Sequence, residues 1–298
     1  MDKGTLHRIS AFTTEPSGGN PAGVWVGDDL PTAEEMLAIA AEVGFSETAF
    51  VAPRTGLDRT VRYYSPKAEV TFCGHATIAT GAVLGAAEGD GTFRLSTSVG
   101  EVPVVVRTSA GRREMALTSV EPRHELPSPE LLAQVLQILG WRSEELDPQL
   151  PPVRAYAGAW HLVLAAGSPR RLAQLDYDFE ALTALMLEDG LTTLQLVWRE
   201  EDTVFHSRNP FPVGGVVEDP ATGAAAAALG GYLRDAGLVE APTSVTILQG
   251  EAMGRPSRLR VEIPERGGII VAGNAVPLPA EPSVPGTQAI DPSSRDQP

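Results

Sequence analysis

The segment Glu218-Asp219-Pro220-Ala221-Thr222-Gly223-Ala224, with the small and apolar run that follows it to about Arg234, decides how the rest of the chain is read. Asp219 is suited to an N-cap and Pro220 to the first helical position. A short side-chain oxygen satisfies an orphan N–H there, and proline has no N–H to waste. Residues 224–233 offer no polar face, so the helix is expected to be buried on every side. Gly237 is placed to end it as a left-handed residue. A buried helix that starts with an acid, a threonine and a glycine presents unpaired N–H groups and a positive dipole end to whatever lies in front of it. That is a place to hold an anion.

A second stretch is built the same way. Phe72-Cys73-Gly74-His75-Ala76-Thr77 leads into Ile78 and a further run of small and apolar residues. We expect two similar halves, each with a central buried helix, the two helix starts facing one cleft. Two ordinary buried helices in one core is the plainer alternative.

The 298 residues are 43% hydrophobic, enough to bury a sizeable core and long enough for two domains. Against 38 acidic residues stand 23 basic ones, a net charge of −15. Such a surface repels phosphate backbones and anionic lipids, so no nucleic-acid partner is expected. One cysteine, Cys73, excludes internal disulfides and multi-cysteine metal sites. The five histidines show no short-range ligand spacing, so the sequence supports no metal, a site built from residues distant in the chain staying open. The first residues lack an apolar signal core, and no apolar run approaches the roughly 20 residues of a membrane span. A soluble, cytoplasmic protein is expected.

Along the chain, residues 8–12 and 24–26 read as strands around the glycine- and proline-rich loop 14–23. Thr32 and Glu35 form a capping box, and Gly44 stops the helix they start. Glu47 then sits among Phe45, Ala49, Phe50 and Val51 at the start of a strand, an unusual place for an acid. Its plain reading is a solvent-facing residue of an alternating strand. Strands follow at 60–65, 93–97, 102–108 and 114–117. Residues 120–129, with three prolines, are the candidate linker, after which Ser128 caps and Gly140 ends an amphipathic helix. The pattern then repeats: strands at 160–165, 193–198 and 203–207, a helix at 179–187, and closing strands at 245–248, 258–263 and 268–272. This order favours an α+β fold with a curved, mostly antiparallel sheet wrapped around a helix in each half. The halves are 1–119 and 129–276. Residues 277–298, with six prolines, are expected to be a disordered tail.

Five segments in order, Gly19-Asn20-Pro21-Ala22-Gly23, Ser46-Glu47-Thr48-Ala49-Phe50, Cys73-Gly74-His75-Ala76-Thr77, Glu218-Asp219-Pro220-Ala221-Thr222-Gly223 and Met253-Gly254-Arg255-Pro256-Ser257, resemble the motif set of the PhzF-like phenazine-biosynthesis isomerases. They span most of residues 1–276. The resemblance implies a diaminopimelate epimerase-like fold of two pseudo-symmetric halves, each a barrel-like sheet around a central helix, with the active site between them. It also implies a cofactor-free and metal-free isomerase, a homodimer, acting on a small carboxylated substrate. By motif, Glu47 becomes the general acid/base and His75 and Asp219 its catalytic companions. Asn20, Gly74, Ala76, Thr77, Thr222, Gly223 and Ala224 become substrate-binding positions. One departure is Ala224, where many relatives carry serine and hence a hydroxyl for the substrate.

Moving a proton on carbon beside an unsaturated acid needs a base, a group to return the proton, and stabilisation of the charge between those steps. A carboxylate in an apolar setting has its charged form penalised, which makes Glu47 a usable shuttle. Two helix starts can hold a substrate carboxylate or a developing oxyanion with fixed N–H groups. His75 orients substrate or relays the proton, against the plainer role of a hydrogen-bonding residue at a helix start. In the related two-thiol racemases a cysteine precedes each buried helix; the matching second position here is Pro220, so that chemistry is excluded and Cys73 reads as a small buried residue. Two other readings remain from sequence: a catalytically idle protein binding a small anion or a protein partner in the same cleft, and an epimerase pairing Glu47 with Asp219 or His75.

Overall fold

The computed structural model describes residues 4–279. In chain order its first elements are β1 (Thr5–Ala11), β2 (Asn20–Val26), α1 (Ala33–Val43), β3 (Thr48–Pro53), β4 (Asp58–Tyr64), β5 (Glu69–Val70) and α2 (Gly74–Glu88). Then come β6 (Gly91–Thr97), β7 (Gly100–Ser109), β8 (Arg112–Thr118), β9 (Arg123–Glu125), α3 (Pro129–Leu139), β10 (Val153–Tyr156), β11 (Trp160–Ala165) and α4 (Pro169–Ala173). The chain closes with α5 (Phe179–Glu188), β12 (Thr193–Glu201), β13 (Val204–Phe211), β14 (Val216–Asp219), α6 (Gly223–Asp235), β15 (Thr243–Gln249), β16 (Ser257–Ile263), β17 (Ile270–Gly273) and β18 (Ala275–Pro277). No helix of the described residues is long and apolar enough to cross a membrane.

Local chemistry sets the outer helices. Thr32 and Glu35 close the expected capping box on α1, and Gly44 ends it at φ 71°. Ser128 caps α3, Pro129 opens it and Gly140 ends it at φ 62°. The start of α6 needs a correction. Asp219 is not its N-cap: that residue ends β14, Thr222 occupies the cap position, and the helix begins at Gly223. The Asp219 carboxylate is engaged by Asn20, 199 residues away, so a distant contact overrides the local capping preference.

The strands form one mixed, mostly antiparallel sheet. Around α2 the parallel ladders are β2–β3 and β4–β6, with β3–β4, β4–β5, β6–β7 and β7–β8 antiparallel. Around α6 the parallel ladders are β11–β12 and β13–β15, with β12–β13, β13–β14, β15–β16 and β16–β17 antiparallel. The two sets are joined by β8–β17 and by β18 on β1. Residues 120–129, read as a linker, carry β9, which pairs with β10. The expected tail needs an adjustment at its start: Pro277 lies in β18 and pairs with Ile9, while residues 280–298 lie outside the described part.

One hydrophobic core runs through both helices and the strands about them, from Ala76, Ile78 and Ala79 of α2 to Ala226, Ala227 and Leu229 of α6. The small residues are there because the sheet comes close. A Cβ on Gly81 would lie 2.7 Å from Val104 Cγ1, and one on Gly230 would lie 2.9 Å from Val261 Cγ1. Central strands are buried on both faces. Val163 and Val197 point to the main core, while Leu162, Leu164, Leu194 and Leu196 pack beneath α3 and α5. A third, smaller cluster seats α1 on Trp25, Phe50 and Tyr64.

Candidate active site

A cavity of about 470 Å³ lies where α2 and α6 begin. Cys73, Gly74 and His75 line it from the start of α2; Asp219, Ala221, Thr222, Gly223 and Ala224 line it from the start of α6; Glu47 joins them from the residue before β3. Neither helix start has a side-chain hydrogen-bonded cap of the usual kind; apart from the Ala76 N–H, which meets Cys73, and the Thr222 N–H, which meets Gln249, first-turn N–H groups are left for whatever occupies the cavity. A cavity of similar size, about 480 Å³, opens near the other end of α2 beside Ala82, Ala86 and Arg113, but no comparable set of acid, imidazole and thiol converges on it.

Glu47 is not a solvent-facing strand residue. Its side chain is only 15% exposed, and its Oε2 stands 3.4 Å from His75 Nε2. Its backbone is fixed because Gly23 N–H donates to the Glu47 carbonyl at 3.1 Å as β2 enters the parallel ladder with β3. His75 is held by Ser46 Oγ at 3.4 Å from Nε2 and by Cys73 Sγ at 3.4 Å from Nδ1. Burial, reinforced by the nearby Glu47 carboxylate, holds the Cys73 thiol well above its ordinary pKa. A protonated, buried thiol is a poor nucleophile, as the sequence reading holds.

Asp219 is buried, and that burial pushes its carboxyl up to about 6; proximity to His75 and the bonds from Thr222 and Asn20 pull the other way. Asn20 Nδ2 donates to Asp219 Oδ1 at 2.8 Å and to the Ala221 carbonyl at 3.0 Å, and Thr222 Oγ1 donates to Asp219 Oδ2. Asn20 therefore holds the α6 start rather than lining the cavity. Ala76 and Thr77 also lie behind the wall. Ala76 is in the core, and the Thr77 hydroxyl donates to the Cys73 carbonyl at 2.6 Å and meets Tyr63 Oη at 2.7 Å. The remaining motif residues are supports. Arg255 donates to the carbonyls of Gly18 and Gly19 at 2.6 and 2.8 Å, fixing the turn that delivers Asn20. Arg208 grips the buried carboxylate of Glu218 in a two-pronged pair.

Several neighbours of the site carry no sequence signal that singles them out. Gln249 donates to the Asp219 carbonyl at 2.7 Å and accepts from Thr222 N–H at 3.2 Å, but a glutamine ending an alternating strand is unremarked in sequence. Tyr156, Trp160, Phe72 and Phe211 give the cavity an aromatic wall, with the Arg123 guanidinium 4.4 Å from the Tyr156 ring. His161 also lines the cavity. Burial drives its pKa down to about 3, so the ring is neutral; Nδ1 meets Thr193 Oγ1 at 2.8 Å and Nε2 has no partner. Among the described residues, Glu47, Cys73 and His75 also place one ligand-type atom each within 4.8 Å of one another, a grouping that short-range spacing does not show.

A family model described as phenazine biosynthesis-like protein matches residues 9–280. An uncharacterized isomerase of Bacillus subtilis, YfhB, is 29% identical over 93% of this chain and 97% of its own length. The trans-2,3-dihydro-3-hydroxyanthranilate isomerase of Pseudomonas fluorescens is 32% identical over 90% of this chain and 95% of its own. Among solved structures, a PhzF-family protein of Bacillus anthracis superposes with a TM-score of 0.82 at 24% identity, over 94% of this chain and 98% of that one. A hydroxyproline epimerase of Agrobacterium vitis superposes with 0.65 at 12% identity, covering 93% and 91%. The two structural likenesses establish the fold.

Proposed function

The chain belongs to the phenazine biosynthesis-like (PhzC-PhzF) family, and from that premise we propose that it is a cofactor-independent isomerase that moves a proton between carbons of a small, carboxylated, cyclic substrate, with Glu47 as the shuttle. The observation that carries this reading is the convergence of Glu47, His75 and Asp219 on one cavity faced by two uncapped helix starts. The matching succession of ladders around α2 and α6 supports two related halves with the site between them.

In this mechanism the Glu47 carboxylate removes a proton from carbon, and the electron pair left behind spreads through the substrate's unsaturation onto an oxygen. N–H groups at the starts of α2 and α6 hold that oxygen or the substrate carboxylate in place. The Glu47 carboxylic acid then returns the proton to a different carbon on the same face, so the protein ends in its starting state. His75, 3.4 Å from the Glu47 carboxylate, positions it. Asp219 is the second acid; with its carboxyl near 6 it can donate a hydrogen bond to the substrate when protonated. The aromatic wall suits a flat ring. A homodimer, as the resemblance implies, is part of the proposal and is checked by light scattering.

The experiment is turnover of trans-2,3-dihydro-3-hydroxyanthranilate, the substrate named for the Pseudomonas fluorescens relative, in deuterated water. Glu47→Gln is expected to lower both product formation and deuterium incorporation by ~10²–10⁴-fold, the usual worth of a positioned acid/base. Near-normal exchange in that variant would falsify the assignment.

A further inference from the structure

The geometry points to a capture site for a thiophilic divalent cation, zinc or cadmium, formed by Glu47 Oε2, Cys73 Sγ and His75 Nε2 on the wall of the cavity. The three atoms make a triangle with edges of 3.5 Å (Sγ to Oε2), 3.8 Å (Sγ to Nε2) and 3.4 Å (Nε2 to Oε2). Zinc holds sulfur at about 2.3 Å and nitrogen or oxygen at about 2.0–2.2 Å, and tetrahedral angles then set ligand edges of roughly 3.3–3.6 Å. The existing edges are within a few tenths of an ångström of that, but Cys73 Sγ also lies 3.4 Å from His75 Nδ1, so the imidazole has to turn to aim its Nε2 lone pair at the ion, a side-chain adjustment that leaves the backbone in place. The backbone beneath is fixed by the Gly23 bond to the Glu47 carbonyl and by the first turn of α2, where Thr77 N–H donates to the Cys73 carbonyl at 3.0 Å.

The donor set also selects the ion. A thiolate with an imidazole favours zinc or cadmium over magnesium or calcium, which prefer oxygen ligands. All three residues line the cavity, so the fourth coordination position opens into it, the arrangement of an accessible site rather than a closed structural one. On binding, the Cys73 S–H bond breaks and its proton passes to water as the sulfur–metal bond forms; nothing is oxidised or reduced. The bound ion occupies the Glu47 carboxylate, so, resting on the isomerase reading above for this consequence alone, capture is a reversible block on turnover.

Cadmium is the probe, because its bond to thiolate gives an ultraviolet charge-transfer absorption and Cys73 is the chain's single thiol. Titrating the full chain with cadmium is expected to give a band that saturates at one equivalent and is removed by a chelator or by excess zinc. Cys73→Ala should abolish it. Glu47→Gln and His75→Gln, which keep the thiol, should each weaken cadmium affinity at least tenfold. Absence of a saturable band overturns the site, and so does unchanged affinity in both thiol-retaining variants, which would make it the chemistry of one cysteine alone. Absorbance requires no substrate, so this outcome is independent of whether the isomerase reading stands. Deuterium exchange that continues undiminished in the cadmium-saturated protein overturns the block while leaving the site.

Discussion

Replacing Asp219 by asparagine is expected to make the protein more stable while removing an acid from the proposed site. Asp219 is buried, and its carboxyl is pushed from 3.8 to about 6, mainly by desolvation. A carboxyl with a folded-state pKa above its unfolded value contributes stability that is present below 3.8 and is lost as the pH rises through about 6. A rise from 3.8 to about 6, at ~1.36 kcal/mol for each tenfold change in proton affinity, means that keeping the charge buried costs about 3 kcal/mol at high pH. The same linkage gives a cost of about 1 kcal/mol at pH 4.5, about 2 at pH 5.5 and a plateau above about pH 7. Asparagine is isosteric, carries no charge, keeps an oxygen for Asn20 Nδ2 and turns its NH2 toward Thr222 Oγ1, which then accepts where it had donated; that exchange does not depend on pH, so the pH-dependent part of the gap in favour of Asp219→Asn should follow that curve. Urea unfolding of both proteins at several pH values measures it, with the denaturant slopes required to agree. A variant that is the less stable protein at pH 8, or a gap that does not change with pH, refutes the reasoning. Turnover of the variant should fall at the same time, the familiar opposition of stability and activity where a charge is kept buried for function.

Three other substitutions test the surroundings of the site. Ala224→Ser puts a hydroxyl on the cavity wall, and kcat/KM for trans-2,3-dihydro-3-hydroxyanthranilate should rise up to about tenfold, the worth of one hydrogen bond of ~1.4 kcal/mol. Gly250 has φ +78°, and a Cβ there would lie 2.3 Å from the Arg255 carbonyl oxygen and 2.7 Å from that of Pro220. Gly250→Ala should therefore cost on the order of 3 kcal/mol in urea unfolding, because backbone, not a flexible side chain, blocks the new atom. Arg255→Lys keeps the charge but loses the fork across Gly18, Gly19 and Ser10. Faster amide exchange at residues 18–20 and a roughly tenfold lower kcat/KM are expected, against an unchanged circular-dichroism spectrum.

What could be read from sequence follows how far each signal reaches along the chain. α1 and α3 were legible to the residue because Thr32, Glu35 and Gly44, and Ser128, Pro129 and Gly140, act within a turn of the helix they bound. The start of α6 was misplaced because Asp219 answers to Asn20 rather than to its own helix. The short strands β9 and β18 owe their form to partners elsewhere in the chain, β10 and β1, while β5, β10 and β14 pair with an adjacent strand but are too short to carry a pattern of their own. Glu47 stood out because an acid among apolar residues is uncommon. Gln249, His161 and the aromatic wall did not, since each is an ordinary residue of an alternating strand or a loop. The nearness of Glu47, Cys73 and His75 depends on β3 and α2 meeting in space, which spacing along the chain does not encode.

The seam formed by β8–β17, together with β18 lying on β1, has a mechanical consequence. The strands about α2 and those about α6 are hydrogen-bonded to one another through β8–β17, and the chain leaving β17 is tied back onto β1 by β18, so the two sets are not bodies on a loose tether. Any movement of one set of strands against the other therefore has to deform these ladders, so widening the cavity between the two helix starts works against backbone hydrogen bonds and not only against side-chain packing.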